Sequence, residues 1–387
     1  MSTRQTIMDQ FEVERATLWE WFNPIRKPLR HKLGLLGLVG LFALPMVLTP
    51  STALTISGAF FLGAFAMSWD AVSGYTGQIS FGHGVFFVVG GYTSMMLNVA
   101  YHLSPFVTIP IGVIAAALAG LLIGAPTLRL RGPYFSLVTL IIPVILLRLF
   151  IVFGDVFHGN QGPSGSPDTL FGITAQVEQI TMVYYLALVT FVAVMAVLLA
   201  VTRSDAGRVF TALRESEDAV SSAGLNPAKY KIYAFVLSAA VGGFVGAVFV
   251  HTPVGSATPK GLHLVFQDIT IVILASILGG MGTIVGAAVG GIFFVLLQQF
   301  VGGLDFVVPV LGVPIADVQL AVFTTITVVL IYFLPGGILR GAIRAGRWVL
   351  AQTGRDVATD GGRPPANPVA QTLRKYRNDL RGGDDER

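Results

Sequence analysis

Met182-Val-Tyr-Tyr-Leu-Ala-Leu-Val-Thr-Phe-Val-Ala-Val-Met-Ala-Val-Leu-Leu-Ala-Val-Thr202 runs for 21 residues without a charge, and Arg203 follows at once. A helix that crosses the hydrocarbon core of a bilayer needs roughly 17–25 mostly apolar residues. Working outward, comparable runs lie near 33–50, 53–69, 82–102, 106–126 and 134–153, and near 232–252, 268–284, 285–303 and 317–335. The sequence thus predicts an all-α, polytopic transmembrane helix bundle of about ten spans, each of the length that a bilayer demands.

Composition agrees. Of 387 residues, 53% are hydrophobic and 12% charged, whereas soluble domains carry about 25% charged residues. Mean hydropathy is +0.73. One water-soluble core could not hide this much apolar surface, so lipid must solvate part of it. There is no cysteine, which excludes disulfides, thiolate metal sites and cysteine nucleophiles. The net charge of +4 does not point to nucleic acid, because the basic residues form no stripe and sit at the ends of apolar runs.

That placement predicts topology. With the N-terminus in the cytoplasm, 23 of the 25 Lys and Arg residues fall inside, Lys260 falls outside and Arg148 lies within a span. The stretch 155–181 has acids but no Lys or Arg, as an external loop should. The expected division is a cytoplasmic segment 1–32, a transmembrane domain 33–340 with a long internal loop 203–231, and a disordered cytoplasmic tail 341–387 rich in Gly, Pro, Asp and Arg. In the first segment Phe11, Leu18, Trp19, Trp21 and Phe22 suit either a short interfacial helix or an ordinary lead-in. Arg148 reads as a pore charge or, near the outer end of its helix, as a side chain snorkelling to the interface.

Some stretches are unusual for plain spans. Gly74-Tyr-Thr-Gly-Gln-Ile-Ser-Phe-Gly-His-Gly84 brings glycines and polar Thr76, Gln78, Ser80 and His83 into a membrane segment. Non-helical backbone at that depth needs protein or a water-filled cavity around it, so broken or re-entrant helices are expected near 74–90, and likewise near 278–290. His83 is either a ligand or proton carrier, or a hydrogen-bonding structural residue. Thr127-Leu-Arg-Leu-Arg-Gly-Pro-Tyr-Phe-Ser136 puts Pro133 in the first turn of the next helix, and Tyr134 and Phe135 beside a path or at an interface. In the internal loop, Ser216 before acids, then Gly224 and Asn226-Pro227, predict a short capped helix ending at a turn. It is either a docking knob for a soluble partner or a solvated loop. Small residues every fourth position (Gly112, Ala116, Gly120, Gly124; Gly282, Gly286, Gly290; Gly242, Gly246) predict close helix packing.

No Lys follows a Gly, so the P-loop pattern is absent and the chain is no Walker-type ATPase by itself. Asp70 and Asp268 sit at predicted helix edges and no predicted helix centre carries an acid. Proton- or sodium-coupled carriers usually need such groups, so a motor on another chain is favoured over a self-sufficient secondary carrier. A membrane enzyme is disfavoured too, since His31, His83, His102, His158, His251 and His263 are scattered over several segments.

Gly74 to Gly84 with Gly91-Tyr92-Thr93 resembles the signature of the branched-chain amino-acid ABC-transporter permeases, M-type. Arg129 to Phe135, the loop and helix from Arg214 to Tyr233, Leu278 to Gly286 and Leu334-Pro-Gly-Gly-Ile338 resemble its further motifs in order, from about 55 to 342. The resemblance implies a permease subunit of an ATP-binding-cassette importer in the cell membrane, multi-pass with both termini cytoplasmic. It implies an H-type permease, two cytosolic ATPase subunits and an extracytoplasmic solute-binding protein as partners. No cofactor is implied on this chain; ATP and Mg belong to the ATPase subunits. Branched-chain amino acids are the implied cargo, with urea or short amides as the alternative within the family. Arg214, Glu215, Ser216, Glu217, Asp218, Ala219 and Gly224 would form the ATPase-coupling loop, although Val220, Ser221 and Ser222 stand where the family prefers alanine. A translocation path would pass Gly77, Gln78, Ser80, Gly82, His83, Gly84, Tyr134, Phe135, Gly280 and Gly282. The Gly159-Asn-Gln-Gly-Pro-Ser-Gly165 stretch matches the place of a Gly-rich external loop.

Overall fold

A computed structural model describes residues 37–128, 130, 133–159, 162, 166–172, 179–255, 266–304, 307–308, 313–314, 318–333 and 336–341. The expectations for the segment 1–32, for Arg129, Arg131, Lys260 and His263, and for the tail beyond 341 lie outside these residues.

Seven described helices are long and apolar enough to cross a membrane: α2 Pro50–Thr76, α3 Gly84–Tyr101, α4 Pro105–Thr127, α5 Pro133–Val152, α6 Ile180–Thr202, α9 Pro227–Val250 and α11 Ile284–Gly302. Three shorter apolar helices stand where the remaining spans were expected: α1 Gly37–Met46, α10 Phe266–Gly280 and α12 Gln319–Phe333. At about 1.5 Å per residue, the 15 residues of α10 and of α12 fall short of a hydrocarbon core of about 30 Å. Two amphipathic pieces, α7 Asp205–Glu215 and α8 Glu217–Ser222, fill the loop between α6 and α9. The all-α reading holds apart from a two-residue antiparallel ladder, β1 Val307–Val308 with β2 Val313–Pro314.

α2 is the axis of the bundle. Thr49 caps it by accepting from Thr52 N, Pro50 opens its first turn, and it ends at Gly77 with φ +74°. It runs past the expected end at 69 because its polar residues find partners inside the helix. Ser68 Oγ donates to Phe65 O at 2.7 Å, and Thr76 Oγ1 donates to Val72 O at 2.7 Å. α6, α9, α10 and α11 all pack against it. Phe60 meets Tyr184 edge-on, with centroids 5.4 Å apart, and also packs on Phe191.

The small-residue rows bring α3, α4 and α9 into backbone contact: a Cβ on Gly90 or Gly243 would collide with Gly243 or Ala116, respectively. α5 is peripheral. Tyr134, Leu137, Ile141, Val144 and Val152 form an exposed stripe at helical spacing. In water such a face would drive association; in a membrane protein it meets lipid or another subunit. Arg148 lies on this exposed face near the C-terminal end of α5, beside Val144, Ile145, Leu149 and Val152.

The helix ends at the bases of α7 and α8 make one face of the bundle. At the opposite end the loop residue Asp168 is held from both sides: its N–H donates to Asn98 Oδ1 at 2.8 Å, and Asn98 Nδ2 donates to its Oδ2 at 3.0 Å. His251 Nδ1 donates to Asp168 O at 2.6 Å, while its Nε2 lies 2.8 Å from Ser94 Oγ.

Candidate functional site: two helix breaks joined by an arginine

Residues 77–83 leave the helical path and run back alongside α2 before α3 begins at Gly84. Their hydrogen-bond partners fix the course. Ser80 N donates to Ser73 Oγ at 3.2 Å and Ser80 O accepts from Trp69 Nε1 at 2.7 Å. From the other side, Phe81 N donates to Thr139 Oγ1 at 3.1 Å and Ser136 Oγ donates to Ile79 O at 2.7 Å. Side chains of α2 and α5 thus satisfy backbone groups that lipid could not. At the end of the segment His83 lies level with Ser68, about 12 Å back from Thr76 at 1.5 Å per residue. This is the re-entrant geometry expected near 74–90.

His83 is fully buried, stacked on Phe65 and edge-on to Phe86. Its Nε2 is 3.0 Å from Ser68 Oγ and 3.4 Å from Ser238 Oγ. Both hydroxyls spend their hydrogens on carbonyls, Ser68 on Phe65 O and Ser238 on Ser68 O. Nε2 therefore carries the proton and donates, and Nδ1 is left an acceptor without a partner among the described residues. No group of three metal-ligating side chains occurs among those residues.

The second break separates α10 from α11. Gly282 adopts φ +79°, and Thr283 Oγ1 donates to Gly280 O at 2.7 Å. Gly282 N donates to Asp70 Oδ1 at 2.7 Å. Arg214, in the last turn of α7, donates from Nη1 to Gly74 O at 2.9 Å. A Cβ on Gly74 would collide with Asp70 Oδ1 and Gly282 N, and one on Gly282 would collide with Arg214 Nη1. Close approach of α2, α7 and the second break therefore requires glycine at both positions. Asp70 lies within α2 and is fully buried, which corrects its placement at a helix edge. The polar run of α2 from Ser68 to Thr76 hid the true helix end.

The residues assigned to the coupling loop divide into two groups. Glu215, Ser216, Asp218, Ala219 and Gly224 are exposed on the projection made by α7 and α8. Ser216 Oγ caps α8 by accepting from Ala219 N, and Gly224 takes φ +81° just beyond it. Arg214, exposed like these, and the half-buried Glu217 also reach back to the bundle, Arg214 through the Nη1 bond to Gly74 O. Glu217 Oε2 accepts from Lys231 Nζ at 2.6 Å, and the Lys231 side chain is 2% exposed.

Of the residues assigned to a path, Ser80, Gly82, His83 and Gly84 are buried in the first break, with Gly77 and Gln78 at its mouth. Gly280 and Gly282 belong to the second break, where Gly280 faces Gly336. Phe135 is packed against Phe235 at 1% exposure, whereas Tyr134 is 67% exposed on the outer face of α5. Sequence reasoning missed Ser68, Asp70, Ser238 and Lys231 as members of the site. The signal for Asp70 was its spacing of one turn from Gly74; nothing local marks Ser238, which is 170 residues from Ser68.

Residues 51–334 match the family model described as branched-chain amino acid transport system / permease component. Over 294 residues the chain is 31% identical to the high-affinity branched-chain amino acid transport system permease protein LivM of Escherichia coli K12, covering 70% of this chain and 68% of that protein. LivM of Salmonella typhimurium is 31% identical over 59% of each chain. LivH of the same species is 25% identical over 59% of this chain and 77% of its own. No solved structure matches the chain at a significant level. This multi-pass membrane chain belongs to the branched-chain amino-acid transport permease family.

Proposed function

We propose that this chain is the M-type permease subunit of an ATP-binding-cassette importer that carries branched-chain amino acids into the cell. The observation that carries the reading is the exposed α7–α8 projection, whose Arg214 reaches back to the α2 and α10–α11 breaks. A soluble ATPase pressing on that projection would move both breaks together. Two such ATPase subunits, holding ATP and Mg, an H-type permease and an extracytoplasmic solute-binding protein complete the machine; this chain binds no cofactor. The α7–α8 face is then cytoplasmic, as are both termini, in agreement with the basic residues that surround it.

A secondary carrier would use a titratable group that trades partners with the driving ion. Among the described residues the buried Asp70 is the carboxylate placed to serve; its Oδ1 is already fixed by Gly282 N, and its Oδ2 has no partner to trade. Reconstitution decides between the two. With its four partner subunits in liposomes the chain should accumulate leucine only with Mg-ATP inside the cytoplasmic compartment. Accumulation by the chain alone under a proton or sodium gradient would overturn the proposal.

A further inference from the structure

Between α2, α3, α9, α10 and α11 lies a cavity of about 260 Å³, in the half of the bundle remote from Arg214. Phe61, Phe65, Phe87, Phe249 and Phe294 line it, and Gln298 is the one polar side chain among the described lining residues. The volume approaches the lower end of small-molecule sites, about 300 Å³. Phe65 is a shared wall: one side borders the cavity, and the ring stacks on His83, whose Nδ1 lacks a partner. Gly58 also lines the cavity, and a Cβ there would meet nothing within 4 Å.

From this arrangement we infer that the cavity receives the aliphatic side chain of the cargo amino acid and so contributes to selection among cargoes. The inference rests on the transport reading above. Five aromatic rings offer apolar contact and the described lining carries no charged side chain, which suits leucine, isoleucine or valine and disfavours acidic or basic side chains. The polar ends of the amino acid would stay at the Gln298 rim. Passage toward the first break then requires the Phe65 ring to swing, which would present the His83 acceptor to the ammonium group.

The Gly58 site supplies the test, because it lines the cavity and a Cβ added there meets no atom within 4 Å. In the full importer in liposomes, Gly58→Leu should lower leucine uptake at least about tenfold, the effect of crowding an apolar pocket by a few carbons, with Gly58→Ala intermediate. ATP hydrolysis stimulated by the loaded binding protein should persist. A diazirine analogue of leucine should label α2 or α11 in the wild-type complex without ATP, and excess leucine should displace it. Uptake by Gly58→Leu equal to wild type overturns the inference. So does labelling that a fatty acid displaces and leucine does not, which would make the cavity a lipid site. Absence of ATP-driven uptake in the wild-type complex would instead defeat the transport reading, and displaceable labelling would still decide the cavity.

Discussion

Arg214 and Gly74 stand 140 residues apart in sequence, and a single hydrogen bond of 2.9 Å joins them. It ties the last turn of the exposed helix α7 to the carbonyl of a glycine that also lies against Asp70 and Gly282. A displacement of α7 that keeps this bond would pull on Gly74 and, through it, on both helix breaks, since packed interfaces rearrange between discrete states.

Replacing Arg214 should therefore uncouple the machine. Hydrogen bonds from a charged donor contribute about 1.5–3 kcal/mol, and the partly exposed guanidinium places this one at the lower end. Arg214→Ala should reduce leucine uptake about tenfold, the equivalent of about 1.4 kcal/mol, while the complex still assembles and hydrolyses ATP. Arg214→Lys keeps the charge but not the planar fork and should recover only part of the loss. Uptake per ATP equal to wild type in both variants would remove the contact from the mechanism.

Gly82 tests the re-entrant segment. A Cβ there would run into the backbone carbonyl of Thr139 on α5, which cannot rotate away as a side chain can. Overpacking of this kind costs about 1–3 kcal/mol. Gly82→Ala should lower the thermal unfolding midpoint of the detergent-solubilised protein by several degrees, with Gly58→Ala as a neutral control. An unchanged midpoint would mean that α5 yields freely at this point.

The bundle was legible because lipid imposes a length and a composition on each span, and the small-residue rows marked the close α3–α4–α9 packing. Gly74–Gly84 announced the first break, since glycines and polar groups at membrane depth demand special cover. The tertiary partners were not legible. Arg214 looked like a surface residue of a polar loop and is exposed, but its Nη1 bond to Gly74 O, 140 residues away, is not encoded in sequence order. Asp70 was misplaced because Ser68, Ser73 and Thr76 dilute the hydropathy of α2, yet each bonds within the bundle and the helix continues. Tyr134 and Phe135 are adjacent and chemically alike; only the direction of packing put one outside and the other in the core.

At the far end, Asn98 clasps Asp168 through both its amide oxygen and its amide nitrogen, while also donating to Leu103 O at 2.7 Å. Asn98→Leu removes all three bonds and leaves the exposed Asp168, among the described residues, with the His251 contact at its carbonyl. Amide hydrogen exchange in 166–172 should rise about tenfold or more, as a locally opening segment requires, and exchange in α7 should not change. Protection equal to wild type would assign the order of this loop to its packing alone.

The pair of Glu217 and Lys231 separates docking from support. Lys231 is buried in the first turns of α9, and Glu217 is about one-third exposed at the start of α8, so removing the carboxylate leaves an unpaired buried ammonium. Breaking such a pair costs about 3–5 kcal/mol, whereas replacing both partners by neutral groups is often near neutral. The fully exposed Arg208–Asp205 pair on α7 should contribute about 0–1 kcal/mol at most. Glu217→Gln alone should then loosen α8 and lower the unfolding midpoint, and adding Lys231→Met should restore it. If the double variant regains stability and uptake together, Glu217 holds the projection in place from within. If it regains stability but not uptake, the carboxylate also meets the ATPase. A single variant as stable as wild type would show that Lys231 finds another acceptor, and the α8–α9 tie would have to be sought elsewhere.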